Sequence, residues 1–488
     1  MQKLIAKPKF NIGKLLLFAT FVLAIFFRVK VYFMNSSLWL DECSLAMSVI
    51  NNKFIGALEY GQAAPAGFLL LSKTLTLFAG VSEKSLRFLP FICSILSIFA
   101  FYKLSSIYLK KNYSILLANF LFATNYYLIY YSQEFKQYSC DVLIAILVLI
   151  LLSKINLQKL STKQFFALGL LFSIIFWFSF ISLLVFSGFF VLVLVKKFKE
   201  FIKVFALFLP FILNAVLYYI FQVRETLNYQ SGFSFWKDGF ISYNFSNFFK
   251  IVIDNINYFF EPNKFVLFAL ILIILGVVAI FKEHRESKNA RFFLIFPIFA
   301  LILASYLHFY PIQQRVVLFL IPILLILMVK PLDSCSVKKK TTSAVIILLT
   351  GIYFGGYFSL NYYKSIGDKN FFKPTDARGI TFELSKMNKP EDILFLAPSS
   401  SSPFEFYSRK YRIKYSKKLV GQMPIYDKTK YLNALNTLPD GHYWFYIAHD
   451  VSHSPVKPFI EEWVNMNCKN IKEYSKSQSY LIYAEKTK

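Results

Sequence analysis

The stretch that decides the fold is KLLLFATFVLAIFFRVKVYFMNSSLWLDE, residues 14–42. Residues 14–33 form an apolar run long enough to cross a bilayer as a helix. Trp39 follows where the chain would leave the membrane, and Asp41 and Glu42 come directly after it. Polar residues kept at that boundary usually mark function, because the interface favours Trp but not paired acids. An Asp there is placed to take a proton from a hydroxyl group; the alternative is a solvated acidic loop.

Composition extends this reading to the whole chain. Of 488 residues, 56% are hydrophobic and 19% aromatic, and the mean hydropathy is +0.50. Only a lipid solvent tolerates so much apolar surface, and the backbone must then be satisfied within helices or a closed barrel. The apolar runs are continuous and about 16–22 residues long, which predicts helices rather than the alternating short strands of a barrel.

The charge and the cysteines exclude several classes of protein. The net charge is +27, but Lys and Arg are spread along short loops. This distribution is typical of topology signals and of contacts to anionic membrane lipids. We therefore expect no nucleic-acid partner. The five cysteines are scattered without a CxxC motif, so neither a disulfide framework nor a zinc site is indicated. The first apolar run lacks a cleavage pattern and reads as a retained span.

The apolar runs predict eleven transmembrane helices. They are placed near residues 14–33, 87–108, 113–131, 138–153, 164–180, 181–196, 202–222, 263–282, 291–308, 315–330 and 342–360. With the N-terminus in the cytoplasm, every strongly basic short loop falls on the cytoplasmic side, as the positive-inside rule requires. These loops carry Lys110 and Lys111; Lys154, Lys159 and Lys163; Lys196, Lys197, Lys199 and Lys203; Lys282, Arg285, Lys288 and Arg291; and Lys338, Lys339 and Lys340. The predicted location is the plasma or inner membrane.

This topology assigns three segments to the outside: residues 34–86, the aromatic-rich residues 223–262, and the C-terminus from about 361. Residues 65–80 are read as a helix lying in the outer interface, since a span there would send the basic loops outward. Arg28 and Lys30 end the first span as exceptions, either reaching to headgroups or holding an anionic lipid.

The chain changes character near residue 361, which predicts domains at 1–360 and 361–488. Short apolar runs at 393–397, 443–448 and 480–484 alternate with helical stretches at 381–387 and 457–467. This alternation predicts a small α/β domain outside the cytoplasm.

Polar residues converge on the predicted outer boundary. Besides Asp41 and Glu42, they are Arg87, Glu134, Lys136, Tyr138, His308, Tyr310, Gln313, Gln314 and Arg315. Singly, each is explained by snorkelling or by an aromatic belt. Together they suit an anionic lipid headgroup and proton-transfer chemistry, and Arg is the better phosphate clamp because its planar fork bonds two oxygens at once.

These residues resemble the pattern of GT-C glycosyltransferases of the protein O-mannosyltransferase and aminoarabinose-transferase superfamily, over residues 14 to about 330. The resemblance rests on an ordered set of motifs. They are Trp39-x-Asp41-Glu42, Ala64-Pro65-Ala66-Gly67-Phe68, Ser82-Glu83-x-x-x-Leu86-Arg87-Phe88-Leu89-Pro90, Ser132-x-Glu134-x-Lys136-x-Tyr138 and Arg315-x-x-x-Phe319-Leu320-x-Pro322.

The resemblance implies an inverting transfer of a sugar from a polyprenyl-phosphate donor to an acceptor on the non-cytoplasmic side. Asp41 would be the general base and Glu42 its support. Lys136 and Arg315, with Arg87, would neutralise the carrier phosphate, which gains charge as its bond to the sugar breaks. Sugar and acceptor, whether protein, lipid or glycan, stay open.

One departure concerns metal. Where relatives carry a His or Glu before the proline turn, this chain has Gln62, Ala63 and Ala64, so we expect no cofactor. The alternative is a cation held by Asp41 or Glu42 with His308. Two alternatives belong to other classes of protein. A transporter or flippase of lipid-linked saccharides should show repeated halves and mid-membrane charges, and an assembly protein would not need the paired acids.

Overall fold

The structure is a computed structural model. It describes residues 12–56, 58–59, 62–224, 234–242, 244–260, 266–282, 288–334, 351, 355–359, 362, 375–411, 413–421, 428–450 and 456–487. Most of the predicted span at 342–360 lies outside the described residues, as do the cations at 338–340 and Arg285. Contacts divide the chain into two compact units, each considered by itself.

The first unit, here the helical unit, comprises Met1–Phe33, Pro65–Phe68 and Arg87–Gly367. Its helices follow the apolar runs closely. In chain order the helices are α1 (Ile12–Met34), α2 (Leu40–Ile50), α3 (Ala66–Ala79), α4 (Glu83–Tyr108), α5 (Asn112–Thr124), α6 (Tyr126–Tyr130), α7 (Tyr138–Lys154), α8 (Thr162–Phe176), α9 (Ser182–Lys197), α10 (Phe201–Tyr218), α11 (Phe245–Phe260), α12 (Val266–Lys282), α13 (Lys288–Tyr306) and α14 (Ile321–Ser334). Of these, α2 and most of α3 belong to the second unit.

The helical membrane class is confirmed, but the count of eleven spans is not. Within the described ranges, five helices are long and apolar enough to cross a membrane: Ile12–Met34, Glu83–Tyr108, Phe201–Gln222, Asn289–Tyr306 and Gln314–Ser334. A sixth results if Tyr126–Gln133 and Tyr138–Lys154, bent by 119°, count as one broken span. The other apolar helices are shorter than these five, so their length does not identify them as transmembrane spans.

The predicted span at 113–131 is not one continuous helix. It breaks at Asn125, whose Oδ1 accepts from the N–H of Leu128 at 3.0 Å and so caps α6. Arg28 bonds the end of α5, because its Nη1 donates to the carbonyl of Ala123 at 3.2 Å. Its Nε donates to Ser94 Oγ at 2.7 Å, and the side chain is fully buried. Both sequence-based readings of Arg28 are therefore wrong: it neither snorkels nor meets a lipid, but bonds three helices together.

A buried ion pair lies at the C-terminal end of α14, which is the predicted cytoplasmic end. Lys330 Nζ is 3.6 Å from Asp333 Oδ2 and also donates to the carbonyl of Tyr108. Asp333 Oδ1 accepts from the backbone N–H groups of Lys110 and Lys111, both at 2.8 Å. The ion pair and the hydrogen bonds to these groups offset the cost of burying the carboxylate.

The second unit, here the mixed unit, contains a five-stranded sheet and confirms the α/β prediction for the C-terminal segment. Its strands are β1 (Ile393–Leu396), β2 (Lys417–Val420), β3 (Gly441–Ile447), β4 (Cys468–Lys476) and β5 (Ser479–Lys486), in the order β2-β1-β3-β5-β4. Strand β1 is parallel to β2 and β3, while β5 is antiparallel to β3 and β4. Four helices accompany the sheet: α15 (Ala377–Met387), α16 (Ser401–Ser408), α17 (Lys428–Asn436) and α18 (Lys457–Asn467).

The mixed unit also includes two pieces of the predicted first external loop. Contacts join Met34–Ala64 and Leu69–Leu86 to Asp368–Lys488. The predicted division at residues 360 and 361 follows chain order, whereas the compact units do not. The helix that carries Asp41 and Glu42 therefore packs as part of the same unit as the C-terminal sheet.

Candidate functional site

Helix α2 carries the two acids in its first turn. It begins at Leu40, and Trp39 takes the extended N-cap position. Glu42 is fully buried and its Oε2 accepts from the N–H of Trp39 at 3.3 Å, so this carboxylate satisfies the helix end. Asp41 is half-buried, and its Oδ1 accepts from Gln62 Nε2 at 3.4 Å. Asp41 is thus not the residue that caps the helix.

The C-terminal part of the mixed unit fixes the chain that leads into α2. The Tyr407 hydroxyl accepts from the N–H of Leu38 at 2.7 Å, and Ser402 Oγ lies 2.8 Å from Ser44 Oγ. Arg378 Nη2 donates to the carbonyl of Asn35 at 2.9 Å, where the backbone has a left-handed φ of 47°. Asn tolerates this conformation better than other side chains with a Cβ. The acidic turn is therefore held from several sides by residues more than 300 positions away.

Glu83, from the motif that precedes the second predicted span, has a structural place in the same unit. It is buried, and its two carboxylate oxygens lie 3.2 Å from Arg378 Nη1 and 3.5 Å from Lys410 Nζ. A buried carboxylate is stable only when paired, and these two cations supply the pairing. Glu83 thus ties the start of α4 to the C-terminal segment.

His449 is a residue that the sequence reasoning missed. It follows β3, and its ring centroid is 5.8 Å from that of Trp39. Burial lowers the pKa of His449, while the negative charges of Asp41 and Asp450 act in the opposite direction. Burial is the larger influence, so the pKa of His449 lies below the usual value and the imidazole is neutral at neutral pH. A lone His in a polar loop gives no sequence signal of this neighbourhood.

In the helical unit, Arg315 lies in the 3₁₀ turn Gln314–Leu320 that leads into α14. Its Nε donates to the Tyr138 hydroxyl at 3.2 Å, and its guanidinium carbon is 6.0 Å from the ring centroid of Trp236. Tyr138 in turn packs edge-on against Tyr131, with ring centroids 5.3 Å apart. The structure therefore brings Arg315 and Tyr138 together, as two of the predicted site residues.

The other predicted residues of the segment 131–138 are buried in the helical unit. Glu134 and Lys136 follow a short 3₁₀ turn at Tyr131–Gln133, and the N–H of Lys136 donates to the carbonyl of Glu134 at 2.7 Å. Arg87 is likewise buried, near the start of α4. Buried cations of this kind require partners or a ligand.

Asp141 is a second residue that the sequence reasoning missed. It sits in the first turn of α7, three residues after Tyr138, and it is buried. Its Oδ1 accepts from Ser179 Oγ at 2.5 Å. An acid inside an apolar helix is a recognised signal of function, and that signal is present in the sequence.

His308 packs against neighbouring groups of the helical unit. Its ring stacks on Phe240 with centroids 5.1 Å apart, its Nδ1 is 3.2 Å from the carbonyl of Tyr306, and its backbone has a φ of 60°. In the part of the chain that the structure describes, no three His, Cys, Asp or Glu residues are grouped so as to hold a metal ion.

The predicted site residues are divided between the two units. Asp41, Glu42 and Gln62 belong to the mixed unit; Arg87, Glu134, Lys136, Tyr138, His308 and Arg315 belong to the helical unit. Within each unit the geometry is defined. The convergence of the two sets on one boundary stays a prediction from the sequence topology.

Comparison with known proteins identifies the fold. No protein-family model and no curated protein sequence matches the chain. Among solved structures, the chain is similar to ArnT from Cupriavidus metallidurans bound to undecaprenyl phosphate. The TM-score is 0.57 at 12% identity, over 95% of this chain and 97% of that one. It is also similar to the archaeal oligosaccharyltransferase AglB from Archaeoglobus fulgidus, in complex with an inhibitory peptide and a dolichol-phosphate. Here the TM-score is 0.51 at 11% identity, over 95% of this chain and 74% of that one. The GT-C fold expected from the sequence is thereby confirmed.

Proposed function

We propose that this protein is a membrane glycosyltransferase that moves a sugar from a polyprenyl-phosphate donor to an acceptor hydroxyl on the non-cytoplasmic face. The observation that carries the proposal is the GT-C fold, matched along 95% of the chain to a structure bound to undecaprenyl phosphate. Fold alone does not define function, so the chemistry is argued from the residues in the two units.

The donor phosphate is assigned to the cations of the helical unit. The hydrogen bond to Tyr138 and the contact with the ring of Trp236 orient the guanidinium of Arg315. Lys136 and Arg87 are buried cations in the same unit. When the bond between sugar and phosphate breaks, negative charge grows on the phosphate oxygens. Fixed cations therefore stabilise the transition state more than the ground state.

Proton transfer is assigned to Asp41 of the mixed unit. The acceptor hydroxyl oxygen bonds to the anomeric carbon as the bond from that carbon to the phosphate oxygen breaks, and the hydroxyl proton passes to Asp41. Attack from the face opposite the phosphate inverts the configuration. Glu42 is committed to the N–H of Trp39, so its part is to hold the first turn of α2 in place.

The test is transfer by the purified protein in liposomes. The donor is the tritiated lipid-linked sugar that accumulates in cells lacking the protein, and the acceptor is membrane vesicles from those cells. We expect label in the vesicle fraction together with release of one polyprenyl phosphate per sugar transferred. Movement of the label across the liposome bilayer without release of polyprenyl phosphate would instead identify a flippase.

A further inference from the structure

The carboxyl ends of the parallel strands β1 and β3 define one edge of the sheet in the mixed unit. In open sheets of this kind, ligands bind beyond the carboxyl ends of the strands. Strand β1 leads there into the turn Pro398–Ser400 and helix α16, and β3 leads into Ala448 and His449. The acidic helix α2 packs on α16 through Ser44 and Ser402. The edge therefore adjoins the turn that bears Asp41.

The backbone of His449 is fixed at this edge. Its carbonyl accepts from Ser399 Oγ at 3.0 Å, and the preceding N–H, that of Ala448, donates to Ser400 Oγ at 2.9 Å. On the other side, the carbonyl of Ala448 accepts from Ser479 Oγ at 2.7 Å. These bonds fix the backbone position from which the imidazole of His449 reaches Trp39.

The imidazole carries a polar atom that no described residue bonds. Its Nδ1 is buried, and it has no hydrogen-bond partner among the residues that the structure describes. A buried nitrogen left in this state costs about 1–3 kcal/mol. Such atoms call for an explanation, and a ligand group is one of the accepted ones.

We propose that His449 is an acceptor-binding residue, whose Nδ1 hydrogen-bonds a hydroxyl group of the sugar acceptor beside Asp41. The inference rests on the proposed function and adds the acceptor subsite to it. It assigns a role in substrate recognition to the C-terminal segment, through the edge at β1 and β3.

The electrostatics of the edge support this role. Burial is the larger influence on His449 and lowers its pKa, so the ring is neutral and suited to a hydroxyl rather than to an anion. Asp41 and Asp450 are the charged groups that act on it. Their negative charge also disfavours an anionic acceptor group at this position.

The experiment is the liposome assay with the amount of acceptor vesicles and the amount of donor varied separately. His449→Ala should raise the half-saturating amount of vesicles about tenfold and leave the half-saturating donor concentration unchanged. His449→Asn should restore most of the affinity, because its amide reaches the position of Nδ1, whereas the longer side chain of His449→Gln imitates Nε2 and should not. The matched control is His442→Ala, at the opposite end of β3, where the ring bonds Tyr483.

Three results would overturn the inference. They are unchanged vesicle saturation in His449→Ala, an equal shift in donor saturation, and equal rescue by Asn and Gln. The comparison of Asn with Gln decides the question even if His449→Ala folds poorly. Failure of the unmodified protein to transfer sugar would contradict the proposed function itself, whereas normal transfer by all His449 variants would contradict only the acceptor subsite.

Discussion

Two carboxylates at helix ends show how differently this chain uses a buried acid. At the end of α14, Asp333 is bonded by Lys330 and by the backbone N–H groups of Lys110 and Lys111, and it is almost fully buried. At the start of α2, Asp41 stays half-buried, and its bond to Gln62 is long at 3.4 Å. Asp333 is inaccessible to a substrate, while Asp41 is partly exposed. The contrast separates an acid that stabilises the fold from the acid that the proposed function uses as the general base.

The neighbours of the two acids deepen this contrast. Lys330 neutralises Asp333 within the same helix turn, and both side chains of the pair are buried. Near Asp41, Glu42 bonds the helix end, and the Nδ1 of His449 has no hydrogen-bond partner among the described residues. A buried nitrogen without a hydrogen bond lowers the stability of a protein. The proposed acceptor subsite accounts for this nitrogen.

The largest effect should follow Asp41→Asn. The amide keeps the size and the bond to Gln62 but cannot take a proton, so transfer should fall by about 10²–10⁴-fold or more. The melting temperature should stay the same, because Asp41 does not cap the helix. Rates in the liposome assay and thermal unfolding in detergent measure the two. Glu42→Gln is the matched control and should lower transfer less. Normal transfer by Asp41→Asn would remove the base from the mechanism.

The opposite outcome is expected for Asp333→Ala. It leaves the buried Lys330 without its carboxylate, which costs about 3–5 kcal/mol in the free energy of unfolding. Denaturant unfolding measures this loss, and transfer per folded molecule should be unchanged. The double variant Lys330→Met with Asp333→Asn should regain much of the stability, since no lone charge is buried. Asp254→Asn, at an exposed acid of α11, is the control. An Asp333→Ala variant as stable as the parent would show that Asp333 does not stabilise the fold.

Arg315→Ala should lower transfer about 10²-fold, since a fixed donor to the developing charge is lost. Arg315→Lys should recover only part of the rate, because Lys cannot make the bidentate contact. Lys136→Ala should act in the same direction. The half-saturating donor concentration and the rate are measured together, with Lys250→Ala, an exposed cation of the same unit, as control. If both alanine variants use donor normally, the phosphate assignment is wrong.

The sequence predicts the helices well because apolar length is a local property. The predicted stretch 457–467 agrees with α18, and 202–222 begins within one residue of α10. The broken helix at Asn125 was missed, although Asn is a common N-cap. Strand β4 was missed because its exposed residues are polar and give no apolar run.

The site is less predictable, because it depends on contacts between distant residues. Asp41 and Arg315 were found through motifs. The hydrogen bond from Leu38 to Tyr407 and the ring contact between His449 and Trp39 join positions about 370 and 410 residues apart. A single sequence carries no signal of such pairs. Asp141 did carry a signal, as an acid inside an apolar helix, and was overlooked.

Tyr407→Phe should loosen the acidic turn without touching its acids. It removes the oxygen that accepts from the N–H of Leu38 and leaves that buried group unsatisfied, at a cost of about 1–3 kcal/mol. The thiol of Cys43, buried in α2, should then react faster with a maleimide in a variant whose other cysteines are replaced. Tyr411→Phe, one turn later, is the control. An unchanged labelling rate would show that Tyr407 does not hold the turn.

The smallest effect should be a change in how stability depends on pH between pH 8 and pH 5.5. Because the pKa of His449 is lowered in the folded state, the unfolded state binds the proton more readily, and stability falls as pH drops through the usual range of histidine. The charge of Asp41 opposes that lowering, so Asp41→Asn should lower the pKa of His449 further and steepen the loss. Unfolding in denaturant at each pH measures it. Adding His449→Asn to the parent and to Asp41→Asn should abolish the difference in pH dependence between them. A difference that persists would originate at another group and would show that Asp41 does not act on His449.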